Sequence, residues 1–256
     1  MFDLKNKKIL ITGSTGYLGS EISIGLAKLG SHVLIHGRDQ DKLKKLEQKL
    51  KKQKLKFTKV DFDLRSTKSI KNFFSSYKGV ITAIVSNAHE GKQGTINTIE
   101  NKEFISSLEI SVITANNLMK YGSKSLNRSV KLYNDASFIC ISSMYGLVSP
   151  DLKIYKSANT SSSPSYGVAK AGLIQWVKYA ANQFGEKGIR VNSISPGPFP
   201  KIKKDKKFIK ILSNRTALKR VGNANEILGP VAFLCSGDSS FITGTNLLVD
   251  GGWTSK

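Results

Sequence analysis

Short apolar runs alternate with helix-length stretches from one end of this 256-residue chain to the other. No other feature constrains the fold as strongly. Runs of strand length fall at Lys8–Thr12, His32–His36, Phe57–Val60, Val80–Ser86, Ser137–Ser142, Ile189–Ile194 and Asn246–Asp250. Several are almost continuously apolar, as strands covered on both faces must be. Helical patterns lie between them, near 17–29, 40–52, 66–77, 101–122, 165–186 and 223–236. This alternation predicts an α/β fold, a parallel sheet of about seven strands with helices on both faces, doubly wound by right-handed crossovers. Ligands of such sheets bind beyond the carboxyl ends of the strands.

No internal repeat or linker divides the chain, so residues 1–256 are read as one domain. Two segments interrupt the rhythm. Ser149–Ser165 is rich in Ser, Pro, Asn and Thr, and Pro196-Gly-Pro-Phe-Pro200 leads into six lysines between Lys201 and Lys210. Both are predicted to be substrate-side loops, near 149–165 and 196–213.

The first strand ends in Thr12-Gly-Ser-Thr-Gly-Tyr-Leu-Gly19, directly before a helix. Glycines allow a tight turn and let the backbone approach a diphosphate, whose charge suits the helix N-terminus. Gly13, Ser14, Thr15, Gly16, Tyr17, Leu18 and Gly19 are therefore read as the cradle of a dinucleotide, in a Rossmann-like arrangement. The second strand ends His36-Gly-Arg-Asp39. An acidic residue at this strand end suits the ribose of NAD, whereas the planar fork of Arg38 suits the 2′-phosphate of NADP. The expected cofactor is NADP, with NAD possible. The plainer alternative keeps Arg38 as a surface residue and Asp39 as a helix cap.

Tyr166 and Lys170, in Ser165-Tyr-Gly-Val-Ala-Lys-Ala-Gly172, stand one helical turn apart on one face. A free phenol is a poor acid or base at neutral pH. A neighbouring cation is expected to lower its pKa into a useful range for proton transfer. Ser142 and Ser143 lie just upstream.

The chain carries 40 Lys and Arg against 18 Asp and Glu, a formal charge of +22, which raises the question of nucleic acid or membrane as partner. Lysine dominates the excess, and the stretch Gln40–Lys52 shows where it goes. Leu43, Leu46 and Leu50 form one apolar stripe with lysines around the rest, a solvated helix face. No nucleic-acid motif is present, so neither nucleic acid nor membrane is expected as a partner. No apolar run is long enough to span a bilayer, and the N-terminus lacks a signal-peptide pattern. Cys140 and Cys235 sit in apolar patterns and read as small core residues, consistent with a cytoplasmic protein. No metal site is expected.

Taken in order, these motifs resemble the short-chain dehydrogenase/reductase family, in its single-domain branch. The resemblance runs through Thr12-Gly…Gly19, Asp63-Leu64, Ser86-Asn-Ala-His89, Ser142-Ser143, Tyr166-x-x-x-Lys170, Asn192-Ser-Ile-Ser-Pro-Gly197 and Ile242-Thr-Gly…Val249-Asp-Gly-Gly252. It implies an NAD(P)-dependent oxidoreductase interconverting a secondary alcohol and a ketone. Tyr166 would be the acid/base, Lys170 would lower its pKa and hold the nicotinamide ribose, and Ser143 would bond the substrate oxygen. Asp63 and Leu64 would meet the adenine, Asn87 and Ala88 the ribose, and Pro196 and Gly197 the nicotinamide amide. Ser111 stands where the family usually has an asparagine supporting a proton-relay water. Gly16-Tyr17 inverts the usual glycine placement, and His89 replaces a glycine.

An insertion, Pro150–Asn159, lengthens the Ser143–Tyr166 interval and is expected beside the substrate. With the tail Val249–Trp253 it resembles members linked to bacterial surface-glycan and flagellin-sugar biosynthesis, which implies a polar, sugar-like substrate. A 3-oxoacyl-carrier-protein reductase and a non-catalytic cofactor-binding regulator are the alternatives. The family also implies a homodimer or homotetramer.

Overall fold

A computed structural model describes residues 2–201 and 205–255. Seven strands form one parallel sheet: β1 (Lys8–Ile11), β2 (His32–His36), β3 (Phe57–Val60), β4 (Ala83–Ser86), β5 (Ala136–Ile141), β6 (Ile189–Pro196) and β7 (Asn246–Val249). Their order is β3-β2-β1-β4-β5-β6-β7, the doubly wound topology that the alternation predicts. Leu10 pairs with Leu34 on one side and Ile84 on the other.

Successive strand residues point to opposite faces, so the sheet separates two apolar layers. Leu10, Leu34, Ile84, Phe138 and Val191 face a layer completed by α3 (Thr67–Ser76), α5 (Thr114–Tyr133) and α6 (Pro164–Gly185). Ile9, Ile11, Val33, Ile35, Val85 and Ile139 face the other, completed by α1 (Tyr17–Lys28), α2 (Gln40–Lys52) and α8 (Leu228–Cys235). Leu43, Leu46 and Leu50 of α2 are buried while its lysines stay outside. Both cysteines are buried and unpaired, and burial pushes the Cys235 thiol up to about 12. Among the described residues, no helix is long and apolar enough to cross a membrane.

The structure corrects three boundaries. The helix expected near 101–122 is longer and not uniform. α4 (Asn101–Leu108) passes through a wide π-helical turn, Glu109–Ile113, into α5, which ends only where Asn134 turns left-handed at φ 51°. A ten-residue helix, α7 (Lys206–Arg215), occupies much of the loop expected over 196–213. The Asp205 carboxylate accepts a hydrogen bond from the Lys207 amide to cap it, and Leu212 anchors it. Ile202, Lys203 and Lys204 of the lysine-rich stretch lie outside the described residues. Within the serine-rich loop, short 3₁₀ turns form at Leu152–Ile154 and Ala158–Thr160, and Pro164 opens α6 in the first-turn position proline favours.

Candidate active site

The loops after β1, β2, β3, β4, β5 and β6, together with α6, enclose a cavity of about 840 Å³ at the carboxyl end of the sheet. The glycine turn forms part of its wall. Gly13 adopts φ +64°, and a side chain at Gly19 would put its Cβ 2.1 Å from the Gly13 carbonyl oxygen. No other residue type fits either place. α1 starts at Tyr17 without a side-chain cap and without an acidic residue in its first turn. Its first amides therefore have no intrahelical acceptor and face an open, anion-favouring end. Gly13, Thr15, Gly16, Tyr17, Leu18 and Gly19 all line the cavity.

Ser14 does not, contrary to its expected role. Its hydroxyl donates to the Ile11 carbonyl (2.7 Å) and accepts from the His36 amide (3.2 Å), so the buried side chain ties β1 to β2. Asn87 lines the cavity, yet its amide nitrogen donates to the Thr12 and Gly13 carbonyls (3.0 and 3.1 Å) and braces the turn from below. Ala88 lies beside it.

One end of the cavity is bounded by Arg38, Asp63, Leu64, Arg65 and Ile110. The Asp63 carboxylate accepts from the Arg65 amide (2.9 Å), and the Leu64 carbonyl accepts from the Thr114 hydroxyl (3.1 Å), so both residues are held by their own loop and by α5. The Arg38 side chain is 78% exposed. Glu90 pairs with Arg65 at 2.6 Å and stands 3.6 Å from Arg38, and the Arg65 guanidinium holds its carboxyl below the usual range.

The other end brings together Ser143, Tyr166, Lys170, His89, Pro196 and Gly197. Lys170 is 2% exposed, and its Nζ donates to the Ile141 carbonyl (2.8 Å) and lies 5.7 Å from the Tyr166 ring centre. Burial lowers this lysine to about 8. Burial also raises Tyr166 above its ordinary value, although the neighbouring Ser143 hydroxyl eases its ionisation. The expectation that Lys170 would depress the phenol is not met in the protein alone, where desolvation dominates and the opposing influence is the Ser143 hydroxyl. The His89 ring lies 5.5 Å from the Tyr166 ring, and desolvation and the Lys170 charge bring it to about 4, so it is neutral at physiological pH.

Gly146 lets the turn after Ser143 approach α6. A Cβ there would lie 2.8 Å from the Lys170 carbonyl carbon. The Ser142 hydroxyl donates to the Lys170 carbonyl oxygen (2.9 Å), which engages Ser142 with the helix backbone and leaves Ser143 beside the tyrosine. Gly197 is likewise fixed by a close approach, to Asp250 at 2.5 Å from the site of a Cβ.

Two further expectations change. Ser111 is buried in the π-helical turn and is not among the lining residues; its neighbour Ile110 is. The insertion Pro150–Asn159 contributes no lining residue either. It packs on α7, through Arg215–Asp151 at 2.6 Å and Tyr155 against Phe208.

Uncapped amides at the start of α1 and a glycine-lined cradle suit the diphosphate of a dinucleotide. The comparisons with known proteins agree. A family model described as enoyl-(acyl carrier protein) reductase matches residues 17–254. The chain is 30% identical to a 3-oxoacyl-(acyl-carrier-protein) reductase of Rickettsia bellii, over 98% of both chains. The chain belongs to the short-chain dehydrogenase/reductase family. A family member from Leptospira borgpetersenii with bound NAD+ superposes with a TM-score of 0.81 at 27% identity, covering 98% of this chain and 94% of that one. A gluconate 5-dehydrogenase from Burkholderia cenocepacia, in complex with NADP and tartrate, shares the fold at a TM-score of 0.85 and 23% identity, over 100% and 98%.

As a short-chain dehydrogenase/reductase, the protein is an NAD(P)-dependent oxidoreductase acting on CH–OH groups. Sequence reasoning missed Arg65, Glu90, Ile110 and Phe199 in the cavity wall. Each adjoins a residue or motif that was singled out, but a one-dimensional pattern carries no sign of which neighbour turns inward.

Proposed function

We propose that this short-chain dehydrogenase/reductase uses NADP to interconvert a ketone and a secondary alcohol in a small, polar, sugar-like substrate, with Tyr166 as acid/base. The observation that carries this reading is one cavity holding the glycine turn and Arg38 at one end and Ser143, Tyr166 and Lys170 at the other. Bound NADP would supply or accept the hydride. Tyr166 would give its phenolic proton to the substrate oxygen in reduction and take it back in oxidation. The Ser143 hydroxyl would orient that oxygen. Lys170 would stabilise the phenolate as it forms and hold the ribose. Ser143, Tyr166 and neutral His89 present hydrogen-bonding groups, which favours a polar substrate over a purely apolar one. A surface-glycan role for the product is an extension of the same reading.

Acyl-carrier-protein reduction is the second reading, favoured by the Rickettsia relative and by a charge of +22 that suits an acidic carrier. Turnover of keto-sugars against acetoacetyl thioesters, with NADPH and NADH in parallel, separates the two. On the substrate so found, Tyr166→Phe is expected to lower kcat by about 10²–10⁴-fold while NADPH still binds. Full turnover by the variant would remove Tyr166 from the mechanism.

A further inference from the structure

Arg38, Arg65 and Glu90 come from the loops after β2, β3 and β4 and meet at the rim of the cavity. β1 lies between β2 and β4 in the sheet, so contacts between Glu90 and Arg38 join the loops on either side of the glycine turn. The two contacts are unequal. Arg65 Nη2 donates to Glu90 Oε2 at 2.6 Å and to the Ser106 hydroxyl at 2.8 Å, which anchors the carboxylate from the α4 side. Arg38 Nη1 stands 3.6 Å from that same oxygen, beyond hydrogen-bond reach. Nearby Asp39 is engaged by Lys42 at 2.9 Å and by its own helix cap. Among the described residues, Glu90 is the acidic partner of Arg38.

We propose that Glu90 is a specificity-determining residue, an internal anion that competes with the 2′-phosphate of NADP for Arg38 and thereby limits the preference for NADP over NAD. The proposal rests on the reading of Arg38 as the phosphate reader. Arg65 keeps the carboxylate in place when Arg38 turns to a ligand, so a 2′-phosphate meets both a partly committed guanidinium and a fixed negative charge close behind it. The 2′-hydroxyl of NAD is neutral and escapes both penalties. Removing the Glu90 charge should therefore favour one cofactor far more than the other.

The test is titration of NADPH and NADH into the wild type, Glu90→Gln, Arg38→Ala and the double variant, at low and at high salt. The Glu90→Gln protein is expected to raise the NADPH-to-NADH affinity ratio about five-fold at low salt, the scale of an exposed charge interaction. Salt should shrink the gain. The gain should vanish in the Arg38→Ala background, because the competition needs both partners. Glu90→Ala repeats the test without the glutamine amide, and a thermal melt of each variant shows that it is folded. An unchanged or lowered ratio in both Glu90 variants overturns the proposal while leaving NADP binding intact. If the wild type binds neither dinucleotide, the cofactor reading itself falls and takes the proposal with it.

Discussion

Lys170 is a cation placed where the fold least favours one. It is buried, and its recorded hydrogen bond is to a backbone carbonyl, not to a carboxylate. In the unfolded chain the amine keeps its proton to its ordinary 10.5; in the fold it gives it up near 8. Between these values the unfolded chain binds more protons, so stability should climb as pH rises through that window. Below it the cost of burying the charge is fully present. Lys170→Met is expected to unfold at a higher temperature than the wild type at pH 7, by the equivalent of about 2 kcal/mol, and to lose turnover. Thermal melts at pH 7 and pH 10 check the stability, since the gain should be smaller at pH 10, and a rate assay checks the turnover. A variant less stable at pH 7 would mean that Lys170 contributes more by packing than it costs by charge.

At the scale of elements, the site depends on how closely a short turn can sit on a helix. Met144–Gly146 follows Ser143 and lies against α6, with Gly146 over the Lys170 carbonyl carbon and Gly167 facing the Tyr145 carbonyl oxygen at 3.0 Å from the place of a Cβ. Gly146→Ala should push the turn off the helix and move Ser143 from Tyr166. We expect a loss of roughly 1–3 kcal/mol in stability and a fall in kcat larger than any change in cofactor affinity. Equal losses in both would place the effect in general unfolding. The strands and α2 were legible in the sequence because their apolar spacing is strict; β2, β3 and α2 begin and end where the pattern does. α7 was not, although Phe208, Ile209 and Leu212 carry a helical stripe, because the Pro-Gly-Pro-Phe-Pro run and the lysines masked it. Ser14 and Ser111 show the other limit. A motif fixes which turn forms, but a buried hydroxyl or one wide helical turn decides where a side chain points, and neither has a pattern in the sequence.

For the whole molecule, the balance is between charge and exposed apolar surface. Ile105 on α4, Ile113 in the π-helical turn, and Val168 and Tyr179 on α6 are exposed, and α4 and the π-helical turn both pack on α6. An oligomer through these helices would cover them, while a charge of +22 per chain opposes association. The expected dimer or tetramer should therefore loosen at low ionic strength and tighten as salt is added. Sedimentation velocity across a salt series checks this, with Tyr179→Glu expected to shift the population toward monomer. A monomer at every salt concentration would remove the oligomer.

The order of strands also bears on the chain while it is being made. The cavity takes residues from Gly13 through Phe199. β5 sits between β4 and β6 in the finished sheet, and β6 begins at Ile189. Until that strand leaves the ribosome, β5 is the rim of an unfinished sheet, an apolar ribbon with a row of unpaired backbone groups. The growing chain therefore carries its stickiest edge for the whole interval in which α6, with the tyrosine and lysine, is synthesised. The step that completes the active site also covers the edge of β5, and it hands the open rim to β6 until β7 pairs with it.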